Sequence, residues 1–220
     1  MKVQSSVQTP LRSHFTRREW AIIASNRTPA QVQRLLSGMA YNHERAGQTC
    51  RSFRGALEHG TVHCLEAAIT AAVILEQYGY PPVVVSLESQ DQLDHVLFLF
   101  ERNGKYGSVA RSRDLGLHGR RPVFRRVRDL VMSYYDTYID KTARITGYAV
   151  ADLRQLGNYN WRLSPRNVWK VERYLQQLEH RPIYASEDRY LKWRNRYLDF
   201  RTRHPDRPVT YYPNRHLWML

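Results

Sequence analysis

Residues 61–82 read TVHCLEAAITAAVILEQYGYPP, and this stretch decides the fold of the chain. Thr61 is suited to cap the start of a helix, Gly79 to take the left-handed position behind its end, and the two prolines that follow block any continuation. The run AAITAAVIL is apolar nearly all round, which predicts a helix that is buried on most of its sides. Cys64 falls in the first turn of this helix.

A small antiparallel sheet is predicted directly after this helix, from strands near 82–87, 95–101 and 105–112. The first of these segments is rich in β-branched residues, which favour strands. The second and third are joined by Asn103-Gly104, a dipeptide typical of two-residue hairpin turns. The Cys-bearing helix is expected to pack on this sheet.

Cys64 and His95 together predict a thiol nucleophile and its base. A thiol becomes a competent nucleophile when its pKa is lowered, and a helix N-terminus and a neighbouring imidazole are the two usual means. Cys64 lies at the start of the helix, and His95 follows 31 residues later on a strand of the adjacent sheet. The alternative is that Cys64 is a small buried hydrophobe, the commonest state of a free cysteine.

The stretch that begins at Cys64, CLEAAITAAVILEQYGYPPVVV, resembles the signature of the transglutaminase-like superfamily. In that superfamily a nucleophilic Cys begins a small-residue helix that ends in Gly-hydrophobic-Pro and leads into a strand. The segment DHVLFLFERNGKYG from Asp94 looks like the His-bearing strand of the same superfamily, with its hairpin. The resemblance covers about residues 60–112, a quarter of the chain. It implies an α+β fold of the papain-like, transglutaminase-like type, with Cys64 as nucleophile and His95 as base.

The superfamily also has an Asp, one strand later, that orients the imidazole. In a hairpin with a two-residue turn, the numbers of any two opposed residues add up to the same total. His95 is therefore expected opposite Ser112, and the side chains of residues 110, 112 and 114 are expected on the same face of the sheet as His95. The family's Asp would fall at Ala110, where this chain has no carboxylate. Asp114, at the opposite diagonal, is the first candidate to replace it, with Ser112 or Ser108 as weaker acceptors. The equally weighted alternative is that Asp114 is a solvated loop charge.

The net charge of +14 and the pI near 10.1 are the strongest anomaly of composition. They predict salt-sensitive attraction to an anionic partner, or else a basic surface that serves solubility. The two cysteines are too few for a disulfide framework, and no metal-binding spacing or cofactor motif is present, so no cofactor is expected. The absence of a long apolar run or a secretory signal predicts a cytoplasmic protein without a membrane partner.

The chain is predicted to form one transglutaminase-like domain over residues 1–220. Its core spans residues 48–150, and a basic helical C-terminal region, 151–220, packs on it with 14 Lys/Arg against 7 Asp/Glu. Further helices are expected from Thr28-Pro29, around 19–25, and over the segments 123–138, 164–178 and 187–203.

These observations predict a cysteine hydrolase or acyltransferase of the protease, amidase or transglutaminase type. Its substrate would be a peptide, a protein or a small amide, and the sequence leaves hydrolysis and transfer both open. One alternative is a nucleic-acid-binding module, since Tyr190, Trp193 and Tyr197 form an aromatic stripe among arginines. Such a stripe is more often a buried face than a stacking platform. Another alternative is a catalytically inactive transglutaminase-like fold that binds protein or nucleic acid.

Overall fold

The computed structural model describes residues 8–212 and 214–220, so the predicted single domain over 1–220 extends beyond this range at residues 1–7 and 213. Within this part the chain is a mixed α+β protein with eight α-helices, a six-stranded antiparallel sheet and a two-stranded parallel sheet. The helices are α1 Arg17–Ser25, α2 Pro29–Gly38, α3 Phe53–His59, α4 Cys64–Glu76, α5 Val127–Tyr138, α6 Trp169–Gln176, α7 Glu187–Arg203 and α8 Arg215–Trp218. The strands are β1 Ala40–Tyr41, β2 Thr61–Val62, β3 Val83–Ser89, β4 His95–Arg102, β5 Lys105–Val109, β6 Arg120–Phe124, β7 Ile145–Asp152 and β8 Arg181–Pro182.

The large sheet has the strand order β6-β5-β4-β3-β7-β8, and both of its faces are covered. Alternate residues of a strand point to opposite faces. Val84 and Phe98 therefore join the apolar cluster of α2, α3 and α4, whereas Val85 and Leu97 join the cluster of α5 and Tyr190. Burial on both faces explains why β4 is apolar without interruption over VLFLF, which follows His95.

The predicted hairpin is confirmed, with Arg102 paired to Lys105 and Phe98 to Val109. The third predicted strand is shorter than expected, because β5 ends at Val109 and the chain then turns away. Two predicted helices are also shorter. The segment expected to be helical from residue 123 begins with strand β6, and the helix expected from residue 164 begins at Trp169.

The aromatic stripe of α7 faces the body of the protein. Tyr190 is buried, and Trp193 stacks on the ring of Tyr211 at 6.2 Å between centroids. Tyr197 lines the cleft around Cys64 that is described below. The stripe therefore faces the body of the protein, with Tyr190 buried and with Trp193 and Tyr197 half-buried.

A capping box begins α2, as Thr28-Pro29 predicted. The Thr28 hydroxyl accepts a hydrogen bond from the Gln31 N–H at 3.3 Å, and the Gln31 side chain accepts one from the Thr28 N–H at 3.0 Å. We expect Thr28→Ala to lower the free energy of unfolding by about 1 kcal/mol, because the Gln31 N–H at the helix start loses its acceptor. Urea denaturation measures this loss. Thr202→Ala, at an exposed position in the last turn of α7, is the matched control and should change the free energy of unfolding little. An equal loss in both variants would contradict the role of the cap.

No helix in the described ranges is both long and apolar enough to cross a lipid bilayer.

Candidate functional site

Cys64 is the first residue of α4 and lies on the wall of a cleft of about 430 Å³. Its side chain is only partly exposed, and its Sγ lies 3.9 Å from the carbonyl oxygen of Asp94. Because α4 packs across β4, the start of the helix meets the start of the strand, and His95 comes beside the thiol. The backbone N–H of Cys64 donates to no acceptor in the described part of the chain, so it is free to bind a ligand oxygen.

His95 is buried, and its ring is fixed by a peptide carbonyl. Its Nε2 lies 3.0 Å from the carbonyl oxygen of Leu117, which can only accept a hydrogen bond. Nε2 therefore carries the hydrogen, and Nδ1 is left to take a proton from Cys64. The rings of Tyr134 and Tyr138 pack against the imidazole at 6.2 and 6.5 Å between centroids. The ring thus has one defined tautomer and one orientation.

The surroundings of Cys64 favour its thiolate. Burial raises the pKa of the thiol, but hydrogen bonding to the imidazoles of His63 and His95, together with their positive charge, outweighs burial and lowers the pKa to about 5. The start of α4 contributes in the same direction, since a helix N-terminus stabilises a negative charge. Cys64 is accordingly ionised at neutral pH.

His63 is a second imidazole beside the thiol, and it occupies the N-cap position of α4 for which Thr61 was predicted. It caps α4: its Nδ1 accepts a hydrogen bond from the Leu65 N–H at 3.2 Å, and its Nε2 donates to the Thr49 carbonyl at 2.9 Å. Burial lowers the pKa of His63, but contact with Cys64 and the charge of Glu66 outweigh it and raise the pKa to about 9. The acceptor role of Nδ1 belongs to the neutral imidazole; in the charged form, which the raised pKa favours at neutral pH, Nδ1 carries a hydrogen and faces the thiolate as a cation instead. The spacing H-x-x-E at a helix start was the available signal for this role.

Glu66 joins the start of α4 to the preceding loop. Its fully buried carboxylate accepts hydrogen bonds from the Thr49 hydroxyl at 2.7 Å, the Arg51 N–H at 3.0 Å and the Asn42 side chain at 3.1 Å. Burial raises its pKa, but the charge of His63 and these hydrogen bonds outweigh burial and hold the pKa below its usual value. The loop that forms one wall of the cleft is fixed in this way.

The structure does not bring the carboxylate of Asp114 to His95. Gln33 of α2 binds the chain where β5 ends: its side chain accepts from the N–H of Ala110 at 3.0 Å and from that of Gly119 at 3.1 Å, and donates to the Ala110 carbonyl at 2.9 Å. Residues 110–119 are therefore a loop and not a continued strand, so the expected pairing of His95 with Ser112 does not form.

Within this loop Asp114 precedes a 3₁₀ turn, Leu115–Leu117, and the carbonyl at the end of that turn meets His95. The other two candidates are also engaged elsewhere. The hydroxyl of Ser108 bonds to that of Tyr134 at 2.7 Å, and the hydroxyl of Ser112 accepts from the Asp114 N–H at 3.3 Å. The predicted orienting role of Asp114 is thus replaced by a main-chain group, which no side-chain pattern could reveal.

Arg120 fixes the C-terminal part of this loop from a buried position. Its guanidinium is fully buried and donates to the carbonyls of His118 at 2.7 Å and Gly116 at 2.6 Å. It lies between the rings of Tyr134 and Trp218, at 3.7 and 4.3 Å from their centroids. Burial lowers the pKa of Arg120 to about 10, so the charge is retained at neutral pH. Carbonyls and aromatic faces solvate this cation in place of a carboxylate.

No protein-family model matches the chain, and none of the curated proteins is similar to it in sequence. The resemblance over residues 60–112 therefore remains a prediction. The geometry of the site is what bears on function.

Two walls and one end enclose the cleft around Cys64. One wall is the segment 42–49 with α6, and the other is the loop 112–117 with Tyr197 and Tyr212. The loops 91–94 and 138–140 close the end. Among the described residues there is no group of three His, Cys, Asp or Glu side chains placed to hold a metal ion.

Cys50, the other free cysteine, is fully buried away from this arrangement, and burial raises its pKa. It offers an internal control for any reaction at Cys64.

Proposed function

We propose that this protein is a cysteine enzyme with a papain-like, transglutaminase-like fold that transfers or hydrolyses an acyl group through a thioester on Cys64. The observation that carries the proposal is the placement of Cys64 at the start of α4, in one cleft with an imidazole that the Leu117 carbonyl orients. This arrangement lowers the pKa of Cys64. A buried structural cysteine has a raised pKa instead, as Cys50 has. We place this chemistry in a single domain and in the cytoplasm, where thiols stay reduced.

In the proposed reaction the Cys64 thiolate attacks the carbonyl carbon of an amide or ester. The carbonyl oxygen becomes an oxyanion, which the free N–H of Cys64 binds. His95, holding the proton of the thiol on Nδ1, gives it to the departing nitrogen or oxygen as that bond breaks. Water or an amine then attacks the thioester, His95 takes its proton, and the thiolate is restored.

The basic surface gives weaker support to a nucleic-acid-binding function. Tyr190 is buried, and Trp193 and Tyr197 are half-buried against the body of the protein, so these rings add little to the support that the charge gives. Charge describes attraction to anions without specifying a site.

An acyl-transfer burst tests the proposal. With p-nitrophenyl acetate we expect one rapid equivalent of p-nitrophenolate per chain, followed by slower turnover, with the acetyl group found on Cys64 by peptide mass spectrometry. Cys64→Ala should abolish the burst, whereas Cys50→Ala should keep it. A burst that survives in Cys64→Ala, or an acetyl group found only on lysines, would overturn the proposal.

A further inference from the structure

The two ring nitrogens of His63 face groups of different kinds. Nε2 donates to the Thr49 carbonyl at 2.9 Å, and carboxylate oxygens of Glu66 and Glu44 lie 3.5 and 3.9 Å from the same nitrogen. Nδ1 points the other way, over the start of α4, where the imidazole is in hydrogen-bonding contact with the thiol of Cys64. The ring therefore lies between two carboxylates and the nucleophile.

The neutral and the charged form of this imidazole make different contacts. In the neutral form Nε2 carries the hydrogen that the Thr49 carbonyl accepts, so Nδ1 accepts from the Leu65 N–H and offers the thiol no hydrogen. In the charged form Nδ1 carries a second hydrogen, releases the Leu65 N–H and donates to the thiolate of Cys64. One ordinary hydrogen bond is thus exchanged for a charge-assisted one, which is about twice as strong, and the carboxylates behind the ring gain a cation. The contacts favour the charged form.

The charged groups around His63 agree with this result. The anions come from different elements and are Glu44 of the segment 42–49, Glu66 and the thiolate of Cys64 on α4, and Glu172 of α6. The cations that oppose them are Arg51, which itself lies 3.9 Å from Glu66, and His95 across the thiol. Burial lowers the pKa of His63, but the hydrogen bond and charge of Cys64 and the charge of Glu66 raise it to about 9. His63 therefore keeps its proton at neutral pH.

We propose that His63 is a second catalytic residue, a fixed imidazolium that stabilises the Cys64 thiolate before the attack and donates its Nδ1 hydrogen to the oxyanion after it. This inference rests on the proposed function. In the attack the sulfur–carbon bond forms and the negative charge passes from sulfur to the carbonyl oxygen, two bonds away. Nδ1 lies 3.2 Å from the Leu65 amide, in front of the first turn of α4, beside the Cys64 N–H that binds the same oxygen. The imidazolium therefore follows the charge without moving, and its proton is neither lost nor gained.

The two imidazoles divide the work because their neighbours differ. The contacts of the His95 ring are the Leu117 carbonyl and the rings of Tyr134 and Tyr138, which are neutral groups. Carboxylates stabilise the positive charge of His63 instead, whatever the state of the sulfur. His95 is therefore the residue that receives the proton of the thiol and passes it to the leaving nitrogen or oxygen, and His63 is the residue that stays charged.

His63→Asn separates the cation from the helix cap, because asparagine caps a helix start well and carries no charge. We expect the pH midpoint of Cys64 alkylation by iodoacetamide to rise from about 5 by one unit or more. At pH 8 the alkylation rate should stay within about threefold, since alkylation forms no oxyanion. Acylation by p-nitrophenyl acetate at the same pH should fall at least roughly tenfold, since it does form one. His59→Asn, at an exposed histidine that ends α3, is the matched control and should change neither rate.

Imidazole NMR follows the proton of His63 directly. The signal that His63→Asn removes should titrate near pH 9 in the unaltered protein, and its midpoint should fall in Cys64→Ala, because the thiolate and the imidazolium stabilise each other.

Three results would overturn the inference and leave the proposed function standing. They are a His63 signal that titrates at or below pH 7 in the unaltered protein, an unchanged Cys64 midpoint in folded His63→Asn, and an unchanged ratio of acylation to alkylation. A Cys64 that is alkylated but never acylated would overturn the proposed function, and the NMR titration would still decide whether His63 is the cation beside the thiolate.

Discussion

Cys64 is expected to react with iodoacetamide at its full rate from about pH 6 upward. Its pKa of about 5 leaves most of the thiol ionised at that pH, whereas an ordinary cysteine with a pKa of about 8.5 is only about 0.3% ionised. The gain in thiolate is therefore roughly 300-fold. A thiolate of lower pKa is also less nucleophilic, by roughly 40-fold for this difference. We expect Cys64 to be roughly tenfold faster than free cysteine at pH 6, with a titration midpoint near pH 5.

His95→Ala separates two contributions to the low pKa of Cys64, that of the His95 imidazole and that of the start of α4. Removing the imidazole takes away one hydrogen bond and one charge that lower the pKa of Cys64, so the midpoint should move upward by one unit or more. The reaction at pH 6 should then fall while the rate at pH 9 is retained. Cys50, buried and with a raised pKa, is the control in the same sample and should stay unlabelled until the protein unfolds. A titration midpoint near pH 8.5 in the unaltered protein would rule out a thiolate–imidazolium pair at Cys64.

Replacement of Arg162 by methionine is expected to lower the free energy of unfolding by about 3–5 kcal/mol. Arg162 and Glu76 form a bidentate ion pair with distances of 2.7 and 2.9 Å, and both side chains are almost inaccessible to solvent. Methionine fills similar space but leaves the Glu76 carboxylate buried without a partner, which is the costly outcome for such pairs. Glu76 lies on α4, so the loss bears on the helix that carries Cys64.

The stability lost in Arg162→Met is expected to depend on pH, and the pKa of Glu76 decides in which direction. Burial already raises the pKa of Glu76 above its usual value despite Arg162, so the folded state binds the proton of this group more tightly than the unfolded state does. Stability from this group therefore increases as the pH falls, and more strongly once Arg162 is gone. Urea denaturation should show a larger loss at pH 7 than at pH 5. Arg154→Met, which breaks the exposed pair with Asp152, is the control and should cost no more than about 1 kcal/mol; equal losses in the two variants would contradict the argument.

The parts of the fold that the sequence predicts are those with local signals. The glycine exit of α4 and the Asn103-Gly104 turn depend on residues that lie next to one another in the chain. The predicted cap of α4 is wrong, because Thr61 belongs to strand β2 and His63 occupies the N-cap position. Strand β7 pairs with β3 although the two lie about 60 residues apart, and its segment ITGYAVAD has no strong turn signal to mark it. Its existence depends on a long-range contact that local propensity does not encode.

The candidate site likewise has residues that the sequence predicts and residues that it does not. Cys64 and His95 are found from the sequence because thiol and imidazole are side chains with a recognisable spacing. His63 is overlooked because a histidine as helix cap resembles a surface histidine until the helix start is placed. Asp114 is misplaced because the predicted register assumes that β5 continues beyond Val109. In the structure the side chain of Gln33 forms hydrogen bonds with the backbone amide and carbonyl of Ala110, and the strand ends there.

The Leu117 carbonyl has a consequence for how this site tolerates mutation. Every amino acid supplies a carbonyl, so Leu117→Ala or Leu117→Met would keep the acceptor of His95, and a mutational scan would record position 117 as permissive. The intolerant positions should be Gln33 and Arg120, which touch neither thiol nor imidazole and only give the loop its shape. The acceptor of His95 thus depends on the path of the main chain and not on the identity of residue 117. A peptide carbonyl also gains no proton in mildly acidic solution. The hydrogen bond to His95 therefore persists at a pH where a carboxylate acceptor would be protonated.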